Sequence, residues 1–305
     1  MTDLITILGP TATGKTQVAV ALAQKIDAEI ISGDSRQVYR RMDLGTGKDL
    51  ADYQDVAYHL IDICEPGTKY NLYEYQRDFR QAYADIRSRG KNAILCGGTG
   101  LYIESILRDY RIHEVPQNQP LRDELEGKPL SELTRILQDL KQKSGSAMHN
   151  TTDVDSAQRA IRAIEIETYT LTHPEVGKSP SVPLNSKVFG IDVPRDVRRE
   201  RITHRLKKRL EDGMLDEIRQ LLEEGVPAED LMYYGLEYKF LTQHVVGELT
   251  YEEMFRQLEI AIHQFAKRQM TWFRGMERRG VKINWIDGML PMDEKVRQIL
   301  LALDE

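Results

Sequence analysis

An α/β fold, a parallel sheet with helices on both faces, follows from three observations in this 305-residue chain. Short, mostly apolar runs at residues 4–8, 28–31 and 93–96 end in glycine-bearing turns, as strands buried on both faces do. Segments of helical period stand between them. The first run also passes through a glycine-bearing loop straight into a helix, the start of a βαβ unit.

Taken in order, 4–8 is a strand ending at Gly9-Pro10, and 17–26 is a helix carrying Val18, Ala19, Ala21, Leu22 and Ile26. The second strand, 28–31, leads into Ser32-Gly33-Asp34-Ser35, and 59–63 is a third. Residues 73–89 set Tyr75, Phe79, Ala82, Tyr83 and Ile86 at helical spacing, and Gly90 stops them. The strand at 93–96 closes on Gly97-Gly98. The character then changes. Residues 117–144 are polar, with an amphipathic helix near 130–140, and predict a small helical insertion over about 114–145 between core segments 1–113 and 146–305. Beyond it come a helix at 157–169, a loop with three prolines at 173–186 and a strand at 188–193. One long helix over 198–224 is expected from the stripe Ile202, Leu206, Leu210, Leu215, Ile218 and Leu222. A further helix at 251–275 places Ile262, Phe265 and Trp272 in the core and completes a helical C-terminal region.

No run approaches the roughly 18 apolar residues of a membrane span, and the N-terminus lacks a basic start, which argues against a signal peptide. Cys64 and Cys96 have no metal-like spacing and are expected to be reduced. A cytoplasmic protein is expected. The net charge of −6 argues mildly against a nucleic-acid partner. Its distribution argues the other way. Residues 195–209 carry Arg195, Arg198, Arg199, Arg201, Arg205, Lys207, Lys208 and Arg209 against Asp196 and Glu200, and 267–282 carry Lys267, Arg268, Arg274, Arg278, Arg279 and Lys282 against Glu277. Each block is either a solvated helix face or a basic face for a polyanion.

Gly9-Pro10-Thr11-Ala12-Thr13-Gly14-Lys15-Thr16 matches G-x-x-x-x-G-K-[ST] in full, between a strand and a helix. Such a P-loop curls so that its N–H groups point at phosphate oxygens, with the helix N-terminus behind them. Lys15 adds a charge, and the Thr16 hydroxyl is placed for Mg²⁺. A nucleoside triphosphatase would carry an acid after a buried strand. The strand at 92–96 instead ends in Cys96-Gly97-Gly98-Thr99-Gly100. The available carboxylate is Asp34, after the second strand. In a parallel sheet the strand ends share one crevice, so Asp34, Thr99 and the P-loop should meet there. The plainer alternative is that Asp34 caps a helix.

Three segments together resemble the tRNA dimethylallyltransferases, or isopentenyltransferases, of bacterial type. They are GPTATGKT, DSRQVY (34–39) followed by MDLGTGK (42–48), and GGTGLY (97–102). The segments HLID at 59–62, QRAIRAIE at 158–165 and AKRQMTWFR at 266–274 extend the resemblance over nearly the whole chain. It implies transfer of a dimethylallyl group from its diphosphate to the exocyclic amine of the adenosine 3′-adjacent to the anticodon. The P-loop, Gly9 to Thr16, would hold a diphosphate leaving group rather than ATP. Asp34 would accept the amine proton or hydrogen-bond the attacking amine, Thr99 would orient that site or the diphosphate, and Lys15, Mg²⁺ on Thr16 and an arginine would stabilise the departing diphosphate. Contacts to tRNA would come from Asp34, Ser35, Arg36, Gln37, Thr99, Arg122, Gln158, Arg159, Ala160, Ile161 and Arg162. The target base would leave its stack to reach Asp34, and the basic blocks would meet anticodon-stem phosphates. A monomer with no stable protein partner is expected.

The chain departs from the family pattern at Thr13, where serine is usual, at 152–157, at Tyr234 to Lys239, and in a short segment between Pro116 and Gly145. No cysteine–histidine cluster follows the core, so the zinc finger of some eukaryotic relatives is not expected. Three other readings compete: a prenyltransferase of free adenine nucleotides, a small-molecule P-loop kinase, and a non-catalytic RNA-binding module.

Overall fold

The computed structural model describes residues 2–110, 112, 114–145, 154–173 and 184–304. Two compact units divide the chain: Met1–Tyr110 with Val182–Glu305, and Arg111–Ser181.

The first unit holds a parallel sheet of six strands, β1 (Leu4–Leu8), β2 (Ala28–Ser32), β3 (Tyr58–His59), β4 (Asn92–Gly97), β5 (Ser186–Asp192) and β6 (Ile283–Asp287), in the order β3-β2-β4-β1-β5-β6. Alternate side chains serve two cores, one on each face. Leu4, Leu8, Ile31, Leu95 and Val188 join one; Ile5, Ile7, Ile30, Ile94, Phe189 and Ile191 join the other. Burial on both faces is why these strands read as largely apolar runs.

Helices α1 (Lys15–Ile26), α2 (Leu72–Ser88) and α3 (Gly100–Leu107) follow β1, β3 and β4. Asn71 starts α2 through a capping box: its side chain accepts from the N–H of Glu74 (3.1 Å), whose carboxylate accepts from the Asn71 N–H (2.8 Å). The second unit contains α4 (Gln119–Leu125), α5 (Leu130–Ser144) and α6 (Ala157–Thr172). The first unit resumes with β5, then α7 (Arg195–Glu211), α8 (Met214–Glu223), α9 (Ala228–Tyr233), α10 (Leu236–Val245), α11 (Tyr251–Arg278), β6 and α12 (Met292–Asp304).

Four sequence expectations are corrected. The insertion expected over 114–145 is wider, because α6 belongs to the second unit: Ala160 and Ile164 bury against Leu125, Leu133 and Leu137. The strand expected over 59–63 is only Tyr58–His59, since Leu60 (φ 62°) and Asp62 (φ 57°) are left-handed and cannot extend a strand. The long helix over 198–224 is two helices, broken at Gly213 (φ 101°). Ile202, Leu206 and Ile218 share one core across the break, so the stripe conceals it, and Asp212-Gly213 was the readable turn signal. Phe265 leaves the stripe of α11 and is 39% exposed, whereas Trp272 packs against the core as expected. The prolines of the loop expected over 173–186 lie at 174–183, outside the described residues. Residues 152 and 153, in the variant stretch 152–157, lie outside them too.

The connection from β2 to β3 is built around a buried cation. Lys48, 1% exposed, donates to the Tyr39 carbonyl (2.6 Å), Asp43 (2.6 Å) and Asp62. Glu217 of α8 accepts the backbone N–H groups of Asp43 (2.7 Å), Leu44 (2.8 Å) and Gly45 (3.0 Å) and the Tyr238 hydroxyl. Gly47 (φ 67°) lets the Arg209 guanidinium approach: a Cβ there would lie 2.6 Å from Arg209 Nη1.

Candidate active site

Strand register brings three loops together. Leu8 of β1 lies opposite Gly97 of β4, and Ser32 of β2 opposite Cys96, so the chain leaves all three strands at the same edge. The two loops beyond Ser32 and Gly97 touch through backbone. The Gly33 N–H donates to the Cys96 carbonyl (2.7 Å), and the Thr99 N–H to the Gly33 carbonyl (3.2 Å). A Cβ on Gly97 would sit 2.3 Å from the Gly33 oxygen, so only glycine allows this approach.

The P-loop is braced from within and from outside. Thr13, almost fully buried, donates its hydroxyl to the Pro10 carbonyl (3.0 Å), so the departure from serine keeps a working hydroxyl. Gly14 (φ 81°) stands at the N-cap of α1 with no side-chain cap, leaving the first N–H groups of the helix open to an anion. Gln269 of α11 accepts from the Thr11 N–H (2.9 Å) and donates to the Gly98 carbonyl (2.9 Å), tying the P-loop to the loop after β4. Gln269→Leu strands both backbone groups. It is expected to lower stability by about 1–3 kcal/mol in urea unfolding and to raise the donor KM. An unchanged midpoint and KM would remove the latch.

Lys15 stands half-buried at this loop. Loss of hydration pulls its ammonium below the usual lysine value, Cys96, Asp34 and Asp49 oppose that shift, and Arg205 adds to it. Arg205 of α7 donates to the Thr11 hydroxyl. Burial, with Arg209 nearby, lowers the Arg205 guanidinium to about 10. Two half-buried cations crowded at one loop are a demand for an anion. The thiol of Cys96 is pushed up to about 11, chiefly by burial, and bonds the Thr16 hydroxyl. It is an inert neighbour rather than a nucleophile.

Asp34 faces this group from the end of β2. Its Oδ1 accepts from the Arg36 N–H (2.9 Å), closing a turn, and no helix begins there, so the helix-cap alternative falls. No bond to Oδ2 forms among the described residues. Thr99 accepts from the Ser35 N–H (3.1 Å), which holds the Asp34 loop to α3. Gln37 continues the framework, accepting from Ser32 Oγ (3.1 Å) and donating to the Gly47 carbonyl (3.1 Å).

A family model described as IPP transferase matches residues 37–276, and one described as isopentenyl transferase matches 2–56. "tRNA dimethylallyltransferase 2" of Phocaeicola vulgatus is 59% identical over 305 residues, covering 99% of this chain and 97% of the relative. The chain belongs to the tRNA dimethylallyltransferase family. "tRNA dimethylallyltransferase 1" of Parabacteroides distasonis is also 59% identical, over 99% of this chain and 98% of its own. The crystal structure of a full-length tRNA isopentenylpyrophosphate transferase from Bacillus halodurans matches with a TM-score of 0.71 at 31% identity, covering 99% of this chain and 95% of that one.

The remaining residues expected from the family pattern lie in the second unit. Arg122 forms a two-pronged pair with the buried Glu165 (2.9 Å on each arm), and Arg162 bonds Glu165 and the Val115 carbonyl (2.9 Å). These bonds and that of the Asn118 N–H hold the Glu165 carboxyl down at about 2 against the effect of burial. Gln158 and Arg159 are exposed, with Arg159 paired to Asp155. Ala160 is fully buried and the half-buried Ile161 packs beside it, so both contribute to the core of the second unit.

The basic block at 195–209 is not one outward face. Arg205 turns toward the P-loop and Arg209 toward the connection after β2, where it pairs with Asp49 (2.7 Å), while Arg198 pairs with Asp192 (2.8 Å). In the second block Arg279 pairs with Glu104 (2.6 Å). Lys267, Arg268, Arg274, Arg278 and Lys282 are exposed, with no carboxylate partner among the described residues. Three site residues escaped the sequence reading in their present roles: Arg205, Gln269 and Glu237. Burial raises the Glu237 carboxyl, and Arg205 and Arg209 face it. Arg205 and Gln269 stood inside segments already singled out, but nothing in the sequence aimed them at the P-loop.

Among the described residues no helix is long and apolar enough to cross a membrane, and no cluster of His, Cys, Asp and Glu could hold a metal ion.

Proposed function

We propose that this chain transfers a dimethylallyl group from dimethylallyl diphosphate to the exocyclic amine of the adenosine 3′-adjacent to the anticodon in tRNA, releasing diphosphate. The observation that carries the reading is one crevice with cations on one side and a carboxylate on the other. Lys15, Arg205 and the open N-terminus of α1 stand at the P-loop, and Asp34 faces them. The amine nitrogen attacks the allylic carbon, the carbon–oxygen bond to diphosphate breaks, and the oxygen keeps the electron pair. Asp34 accepts the amine proton through its free oxygen. The P-loop N–H groups, Lys15 and Arg205 take up the charge that grows on diphosphate. Thr99 and Gln37 keep the Asp34 loop in place.

Mg²⁺ fits this site as a companion of the diphosphate. It is held by few protein oxygens plus substrate phosphates, and here the Thr16 hydroxyl stands at the first turn of α1. Bound there, it would neutralise phosphate charge. The five exposed cations on and just beyond α11 suit tRNA phosphates, as do Gln158 and Arg159 in the second unit.

Purified protein incubated with dimethylallyl diphosphate, Mg²⁺ and tRNA should yield prenylated adenosine by nucleoside mass analysis. Absence of transfer to any tRNA with adenosine at that position refutes the reading, and faster transfer to AMP replaces it with the free-nucleotide one. Arg205→Ala is expected to lower kcat by about 10²–10³, the range for loss of one charge-stabilising donor. Arg205→Lys should recover part of it, since a point charge replaces a fork. An unchanged kcat would take Arg205 out of the chemistry.

A further inference from the structure

Beside Arg36, the residue whose N–H bonds Asp34, lies an aromatic residue that the chemistry does not use. Tyr233, at the end of α9, is 50% exposed. The Arg36 guanidinium stands 5.5 Å from its ring centre and the Lys69 ammonium 5.6 Å. Both distances are near the outer limit of cation–π contact, so the ring keeps half of its surface open. Neither cation has a carboxylate partner among the described residues. The arrangement is held from beneath. Tyr234 packs on Tyr39 (4.4 Å between ring centres), and its hydroxyl accepts from the Gly67 N–H (2.6 Å) and donates to the Thr68 carbonyl (2.9 Å). Lys69 is thereby kept beside Tyr233. On the other side, the Arg36 N–H is bonded to Asp34 itself.

We infer that Tyr233, Arg36 and Lys69 form a stacking platform for an anticodon-loop nucleotide neighbouring the adenosine that enters the crevice, and this rests on the proposed function. An exposed ring offers a face to any base, and cations beside it take the flanking phosphates. One backbone turn carries both Arg36 and Asp34, so a base seated on the platform sets the reach of its neighbour into the site. Nothing in the sequence patterns pointed to Tyr233 or Lys69.

The test is affinity for an anticodon stem-loop, measured without donor, so that it stands apart from the transfer assay. Tyr233→Ala should weaken binding by about 5- to 150-fold, the loss of one base–aromatic stack. Tyr233→Phe should restore it, because the ring and not the hydroxyl is used. Lys69→Ala should reduce the slope of log affinity against log salt by about 1. Affinity for dimethylallyl diphosphate and the thermal midpoint should hold in all three. Unchanged RNA affinity in Tyr233→Ala overturns the platform while leaving the proposed function intact, as does equal loss in the Phe variant or a parallel loss of donor affinity. A wild-type protein that binds no tRNA overturns both.

Discussion

Asp34→Ala slows prenyl transfer by about 10²–10⁴-fold, the contribution of a positioned general base, while tRNA and donor affinities stay close to wild type. The reason is positional. Asp34 holds its own turn through the Arg36 N–H and leaves Oδ2 for the incoming amine. The backbone around it is fixed independently, by Thr99 on Ser35 and by the glycine contact at Gly97. Removing the carboxylate should therefore delete chemistry more than shape. Asp34→Asn separates the two roles: the amide can still accept from the Arg36 N–H but cannot take a proton at neutral pH. Single-turnover rates at saturating donor and tRNA check both variants. A rate within a few-fold of wild type in the Asn variant would assign proton transfer elsewhere.

Lys48→Met lowers folding stability by about 3 kcal/mol, the low end of the range for breaking a buried ion pair. The low end applies because Asp43 and Asp62 keep 54% and 32% of their side-chain surface and can rehydrate. The Tyr39 carbonyl cannot, and it loses its charged donor. Urea unfolding measures the change through the shift in midpoint at constant slope. The same variant should lower kcat, since the Gly47 carbonyl that receives Gln37 sits beside Lys48 and Gln37 braces Ser32 ahead of Asp34. A midpoint shift below about 1 kcal/mol, comparable with an exposed pair, would show that Lys48 is solvated in practice.

The P-loop was readable because its chemistry is local. Gly9 to Thr16 must curl, so the residues that permit the curl are adjacent in the chain. Asp34 and Thr99 were readable one step further, because parallel strands deliver their ends to one edge. The failures follow the same logic. A stripe of apolar residues reports which face is buried but not whether the axis bends, so α7 and α8 looked like one helix across Gly213. HLID at 59–62 has a strand's composition, yet Asp62 is turned to reach Lys48, a partner that composition does not reveal. QRAIRAIE at 158–165 mixes two duties: Gln158 and Arg159 face solvent, while Ala160 and Ile164 form the second unit's core.

By itself the sequence determined the fold class, the glycine-bearing turn between β1 and α1 and, through six ordered segments, the family. Those are carried by residues close together along the chain or by the alternation of strand and helix. Only the tertiary structure decided that the block at 195–209 splits, with Arg205 and Arg209 turned inward while Arg195, Arg199, Lys207 and Lys208 stay exposed. It alone placed Gln269 across the P-loop and set Tyr233 between Arg36 and Lys69. These contacts join residues more than 150 positions apart. Their direction depends on how whole helices pack against the sheet, and no spacing within one segment encodes it.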